Sequence, residues 1–238
     1  MTKKLVAILV TTCGIALTTA AQDLTKFMYN YKVGYKNASG HVVVEPFYEA
    51  GGDFFEGRAL VIFKGKRGFI DNKGICVVTL KYEDANSFHE GLAAVKFNGK
   101  YGYVDNMGKT KIAHIYDAAS DFIDGIARVE SNGQILYINQ ANEVLYTTSN
   151  TTAGLCRNGL IRVRNEQQKW GYINLQGQVV IPYQYMTATD FYNGKANVVQ
   201  GDEILTLDTN GKVIAEQERR TEKEEIEESK KRQTINQK

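Results

Sequence analysis

Phe88-His89-Glu90-Gly91-Leu92-Ala93-Ala94-Val95-Lys96-Phe97-Asn98-Gly99-Lys100-Tyr101-Gly102-Tyr103-Val104-Asp105-Asn106-Met107-Gly108-Lys109 is one clean copy of a unit that the chain repeats about six times. Leu92–Phe97 is apolar and bounded by turn formers, so it reads as a strand. Asn98-Gly99 supplies a tight hairpin turn, because both central residues of a type I′ turn need positive φ. Tyr101–Val104 is the second strand. Asp105-Asn106-Met107-Gly108 is the next turn, opened by an Asx side chain and closed by a glycine in the left-handed position. A third strand follows, clearest in the copies at Val42–Val44 and Gln178–Ile181. A connector then carries spaced Tyr, Ala and Phe residues, and near Tyr116–Phe122 it is compatible with a helical turn.

The period is 34 residues. Glycines that follow an acidic or amide residue stand at 57, 91, 125, 159 and 194, and the turn-closing slot runs Gly40, Gly74, Gly108, Asn142, Gly177 and Gly211. Aromatics keep the same beat in three series. Tyr35, Phe69, Tyr103, Tyr137 and Tyr172 end on Thr206; Tyr48, Tyr82, Tyr116 and Tyr185 skip Asn150; Phe54, Phe88, Phe122 and Phe191 skip Cys156. Every series that crosses residues 160–171 gains one residue there, so the series are registers of one repeat.

Composition agrees. The 238 residues include 22 Gly and 14 Tyr but only 2 Pro, as short strands joined by tight turns require. A formal charge of +2 is too small for a nucleic-acid or anionic-membrane footprint. Lys3 and Lys4, the apolar run Leu5–Leu17 and the small residues through Ala21 read as a signal peptide over residues 1–21. The run is too short to span a bilayer, so no transmembrane helix is expected in the mature form. Cys13 offers an alternative as a lipid anchor, although Thr12 before it fits a lipoprotein box poorly. Without the leader the chain carries 27 charges of each sign, and the expected location is periplasmic or extracellular. Residues 22–215 form a single repeat domain. Residues 216–238 carry seven acidic and seven basic side chains without an apolar stripe, a short helical or disordered tail.

Trp170-Gly171-Tyr172-Ile173 in the fifth unit shares its slot with Arg67-Gly68-Phe69-Ile70 and Tyr101-Gly102-Tyr103-Val104. With Glu90-Gly91-Leu92-Ala93, Asn98-Gly99-Lys100 and Gly108-Lys109, this resembles the bacterial WG-containing repeat family over roughly residues 27 to 215. The fourth unit departs most, with Ile135-Leu136, Asn142 and Cys156 in the signature slots. The resemblance implies an all-β, often exported repeat scaffold, and brings no catalytic residues with it. Decay of the pattern at both ends is what capping repeats show.

Repetition absorbs most candidate chemistry. Asp71, Asp105 and Asp208 share a slot with Asn37, Asn139 and Asn174; an amide replaces a carboxylate as a turn opener, but not as a general acid. Glu56, Glu90 and Asp124 alternate with Asn158 and Asn193 in the same way. His41, His89 and His114 share no register and no metal-ligand spacing, and no nucleotide or nucleophile motif is present. No metal or other cofactor is expected. Cys76 and Cys156 occupy Val and Phe slots and read as buried small hydrophobes. The aromatic ladder Tyr35, Tyr103, Tyr137, Trp170 and Tyr172 remains: core packing is its simplest reading, and ligand contact along a repeat face is the functional one.

The expected fold is all-β, three-stranded antiparallel meanders in an open curved array, with a six-bladed propeller as the alternative. The expected function is an exported, non-catalytic binding or scaffold module that engages protein or envelope glycan. An envelope-polymer hydrolase or a purely structural component are the alternatives.

Overall fold

A computed structural model describes residues 24–218; the leader, including Cys13, and most of the charged tail lie outside the described residues. Among them every regular element is a strand, and the strands form six separate antiparallel sheets in chain order. The first sheet holds β1 (Thr25–Tyr29), β2 (Lys32–Lys36) and β3 (Val42–Tyr48). The second holds β4 (Ala50–Phe55), β5 (Arg58–Phe63), β6 (Lys66–Asp71) and β7 (Cys76–Tyr82). β8 (Asp84–Ala85), β9 (Leu92–Phe97), β10 (Lys100–Asp105) and β11 (Thr110–Tyr116) make the third. The fourth is β12 (Ala118–Ala119), β13 (Ile126–Ser131), β14 (Gln134–Asn139) and β15 (Val144–Thr148). The fifth is β16 (Cys156–Arg157), β17 (Leu160–Arg164), β18 (Trp170–Asn174) and β19 (Val179–Tyr185). The sixth is β20 (Thr187–Ala188), β21 (Lys195–Gln200), β22 (Glu203–Asp208) and β23 (Val213–Glu218).

The expected meander is therefore one strand short. The connector is extended, and its start pairs with the next sheet: Ala118 lies opposite Glu130 and Ala119 opposite Val129. A helical turn there would forfeit this ladder and the bonds that follow it, such as Ser120 N to Arg128 O at 2.9 Å. Five sheets thus carry four strands and the first carries three.

The turns follow the residue chemistry. Asn98 and Gly99 have φ of 51° and 78°, the pair of positive values that a type I′ hairpin requires. Asp105 Oδ1 accepts the N–H groups of Met107 and Lys109 at 3.0 and 2.9 Å. Asn139 makes the same two bonds to Ala141 and Glu143, which is why amide and acid interchange in this slot.

The glycine of the Trp-Gly slot has a steric cause. A Cβ on Gly34, Gly68, Gly102 or Gly171 would sit 2.4–2.7 Å from a carbonyl oxygen of the outermost strand. That strand bulges across the glycine: Tyr101 pairs with Tyr116 and Tyr103 with Ile112, so Gly102 alone opposes the three residues 113–115. In the fourth sheet Leu136 replaces the glycine, and pairing is regular from Ile135–Thr148 through Tyr137–Tyr146. The glycine and the bulge come and go together.

Each inner sheet is apolar on both faces. Ala93 and Val95 of β9, with Phe88 from the loop before it, pack against the second sheet's Phe69 and Val78, while Leu92 and Ala94 face the fourth unit's Phe122, Ala127 and Val129. Five hydrophobic clusters result, one between each pair of successive sheets. Stability is thereby a sum over neighbours, since a single unit cannot bury either face alone. Among the described residues, no strand pairing and no cluster joins the sixth sheet to the first.

Candidate functional site

The tyrosine ladder is core. Tyr35, Tyr103, Tyr137 and Tyr172 are each 0% exposed, and a ligand has no path to their rings. Each ring meets the next unit, as in the edge contacts Tyr35–Phe54 at 5.4 Å and Tyr172–Phe191 at 4.9 Å. Each hydroxyl donates to the next connector's backbone: Tyr103 to Ser120 O at 2.7 Å, Tyr172 to Thr189 O at 2.8 Å, and Tyr137 to Gly154 O. Burial raises all four phenol pKa values. Tyrosine is used here because one ring fills the inter-sheet space while its polar tip satisfies a carbonyl. Only Trp170 of the proposed contact residues is half-buried rather than enclosed. Its ring carries the guanidinium groups of Arg162 and Arg164 at 5.0 and 5.5 Å. Arg162 in turn bonds Asp190 Oδ1 at 2.6 Å and Ala188 O at 3.1 Å, so this cluster ties the fifth sheet to the sixth.

The second polar slot forms a ladder between units. Glu56 accepts the N–H groups of Glu90 and Gly91 at 2.7 and 2.8 Å, and Glu90 accepts that of Gly125 at 3.0 Å. Asp124 accepts Asn158 N–H at 2.7 Å, and Asn158 Oδ1 accepts Gly194 N–H at 3.1 Å. All are left-handed, with φ of 49°, 53°, 54° and 51°, a shape that exposes the turn's N–H groups to the preceding side chain. Carboxylate and amide both serve because the task is to accept backbone N–H, two from the next turn at Glu56 and one at Glu90, Asp124 and Asn158.

The remaining candidates are dispersed. His89 lies 3.3 Å from Asp121, and His114 stacks beside Tyr82 with its Nε2 buried and unbonded. Burial, then Lys81, lowers the His114 pKa. Among the described residues no three His, Cys, Asp or Glu side chains stand together so as to hold a metal ion. Cys156 is buried in the Phe slot, its thiol pushed up to about 11 by burial. Cys76, expected inside, is exposed: its slot opens the outermost strand, where Val42, Val144, Val179 and Val213 are exposed too.

The sixth sheet ends the series differently. On the face that inner sheets turn to their successor, it presents Lys195, Asn197 and Thr206 where the third sheet has Leu92, Ala94 and Tyr103. With Thr189, Asp190 and Asn193 these line an open cleft of about 410 Å³, and the Tyr192 ring, 72% exposed, stands beside it. Thr206 Oγ1 reaches only Asn197 Oδ1, at 3.0 Å, where a tyrosine would cross to another unit. The sequence held one signal for this place, the Thr that ends the tyrosine series; Asn193, Lys195 and Asn197 carried none.

No helix among the described residues is long and apolar enough to cross a membrane. In overall shape the chain is similar to solved structures of β-propeller-like proteins. Hsv2 of Kluyvelomyces marxianus is 9% identical, with 84% of each chain covered and a TM-score of 0.51. A structure of Kluyveromyces lactis Hsv2 with loop 6CD replaced by a Gly-Ser linker is 10% identical, covering 85% of this chain and 80% of that one, at 0.50. A eukaryotic initiation factor is 12% identical, covering 82% of this chain and 62% of that one, at 0.53. The likeness is one of fold: the sheets follow one another as blades do. No curated protein matches the sequence. The WG containing repeat matches at residues 34–66, 68–101, 101–134 and 170–203, together more than half of the chain. On these four matched units the chain belongs to the WG containing repeat family.

Proposed function

We propose that the chain is an exported, non-catalytic binding or scaffold protein that engages a protein partner outside the cytoplasm through a repeat face, the outward face of its sixth sheet. One observation carries this reading. Five inter-sheet faces are closed by apolar clusters, whereas this sixth one is polar, open and cleft-bearing. The non-catalytic part is supported by the use of the repeated carboxylates. Those of the turn openers and of Glu56, Glu90 and Asp124 accept backbone N–H groups, a structural task. Export is supported by the leader pattern of residues 1–21. An envelope glycan is the second reading, favoured by the exposed Tyr192 ring beside the Asn193 and Asn197 amides.

The test is capture of partners by the mature protein from an envelope extract and on a glycan array, in parallel with Asn197→Trp, which fills the cleft. Specific capture that Asn197→Trp abolishes, and that replacing the remote, exposed Tyr31 by Ser leaves unchanged, is the expected outcome. A partner held equally well by the Asn197→Trp variant places binding elsewhere and overturns the reading.

A further inference from the structure

Resting on that reading, we infer that the cleft is a vacant repeat socket whose ligand is a peptide turn of sequence Phe, any residue, Asp, Asn or Glu, then Gly. The chain itself displays the occupant at the interfaces it does fill. Phe122-Ile123-Asp124-Gly125 seats Phe122 against Tyr103 at 4.8 Å and presents Gly125 N–H to Glu90 at 3.0 Å. Phe88-His89-Glu90-Gly91 does the same against Phe69 at 4.7 Å and with Glu56 at 2.8 Å. Phe191-Tyr192-Asn193-Gly194 repeats it against Tyr172 and Asn158. In these three cases an aromatic ring enters the face of the preceding sheet and a left-handed turn offers an N–H to that sheet's clasp residue; between the fourth and fifth sheets the turn meets Asp124 in the same way, with Cys156 in place of the ring.

The sixth sheet keeps the receiving half of this arrangement. Asn193 holds the same left-handed conformation, φ 48°, as the clasps before it, and among the described residues no later turn meets its side chain. Thr189 and Asp190 hold the positions of Gly154 and Leu155, which lie against the Asp190 segment at the preceding interface. Thr206 in place of tyrosine widens the space that the incoming ring enters. The chain has no spare copy of the motif. Residues 1–23 and 219–238 contain no aromatic residue, and Ala20 and Asp23 stand where the first unit's Phe and Gly would be. The copies at Phe54, Phe88, Phe122 and Phe191 are already packed between sheets, so the occupant we assign is a turn of this sequence in an accessible segment of a partner protein.

The probe is a fluorescein-labelled synthetic peptide with the sequence of residues 119–127, titrated with the mature full-length protein and followed by fluorescence anisotropy. Saturable one-to-one binding is expected. It weakens about tenfold or more when the peptide carries Phe122→Ala, the loss that follows from leaving a buried ring out. Protein Asn193→Gly keeps the positive φ without the acceptor and binds several-fold more weakly, whereas Asn193→Asp, the residue the clasp slot has at position 124, binds as wild type. Asn197→Trp abolishes binding, with Thr206→Arg as the second blocking variant should the first unfold. Absence of peptide binding, binding indifferent to Phe122→Ala, or binding unaffected by both blocking variants overturns the ligand assignment. If the peptide fails while Asn197→Trp still abolishes partner capture, the motif is wrong and the end-face reading stands. If the blocking variant affects neither assay, both fall. Binding that appears only after residues 219–238 are removed assigns the socket to the chain's own tail and likewise overturns the proposal.

Discussion

Asp124 Oδ2 accepts the backbone N–H of Asn158, 34 residues further along the chain, at 2.7 Å. A side chain that looks like one more turn former in its own unit therefore fastens the next unit's turn. Asp124 stands at φ 54°, so Asp124→Gly removes the carboxylate without adding strain. We predict a loss of about 1–2 kcal/mol in urea unfolding for Asp124→Gly, and a change of less than about 0.5 kcal/mol for Asp124→Asn. Equal effects of the two substitutions would show that the bond contributes nothing.

Gly102 is set by contact rather than by φ. A methyl group there would meet Ile112 O at 2.6 Å and Ala113 C at 2.7 Å, both backbone atoms of a bulged strand that cannot swing aside. Gly102→Ala is expected to cost about 2–4 kcal/mol. The same insult at residue 136 does not arise, because Leu136 lies in a regular ladder, and Leu136→Gly destabilises without restoring a bulge. Thermal unfolding of both variants checks this pair of outcomes.

Cys76 and Cys156 differ in exposure, Cys76 lying outside and Cys156 inside. Thiol titration of the protein starting at Gln22 should find one reagent-accessible group, lost in Cys76→Ser and slower than a free thiol because partial burial raises its pKa. The second should react only on unfolding, since burial keeps the Cys156 thiol protonated. Two reagent-accessible thiols in the folded protein would contradict the placement.

His114 predicts a pH dependence. Its folded pKa lies below the ordinary 6.5, through burial first and Lys81 second, so the fold favours the neutral ring. As pH falls through 6.5 the unfolded chain takes up a proton that the folded chain refuses, and stability drops until the folded pKa is passed. Glu49 and Asp117 act in the same direction only at lower pH. Their carboxylates are held below 4.5 and 3.8, Glu49 chiefly by Gly65 N–H and Asp117 chiefly by Lys100. Between about pH 8 and about pH 5.5, His114→Phe should therefore lose less of its melting temperature than wild type does. Parallel declines would remove His114 as the cause.

Much of the fold was legible because the repeat prints its own alignment. Asn98-Gly99 and Asp105 through Gly108 state their turn types in residue chemistry, and the structure holds both. What periodicity could not convey was the role of the connector: Ala118-Ala119 pairs with a sheet written later in the chain, and two residues are too few for an alternating pattern. Exposure of the Cys76 slot was hidden for a related reason, since valine in an outermost strand looks like valine in a core. The ladder of Glu56, Glu90, Asp124 and Asn158 was visible as a slot, but its partner lies one period away, where turn chemistry does not point. The socket was least legible. Thr206 registers as an end-of-array substitution, while Asn193 is the same residue type as the working clasp Asn158, and only its position at the end of the stack makes it available.

The most direct measurement is a titration of the unlabelled 119–127 peptide into the ¹⁵N-labelled protein of residues 22–238, read by backbone amide shifts. The account predicts shifts confined to residues 189–197 and to Thr206, with the Asn193–Lys195 amides moving furthest. Shifts centred on the outermost strands, or spread evenly over the inner sheets, would contradict it.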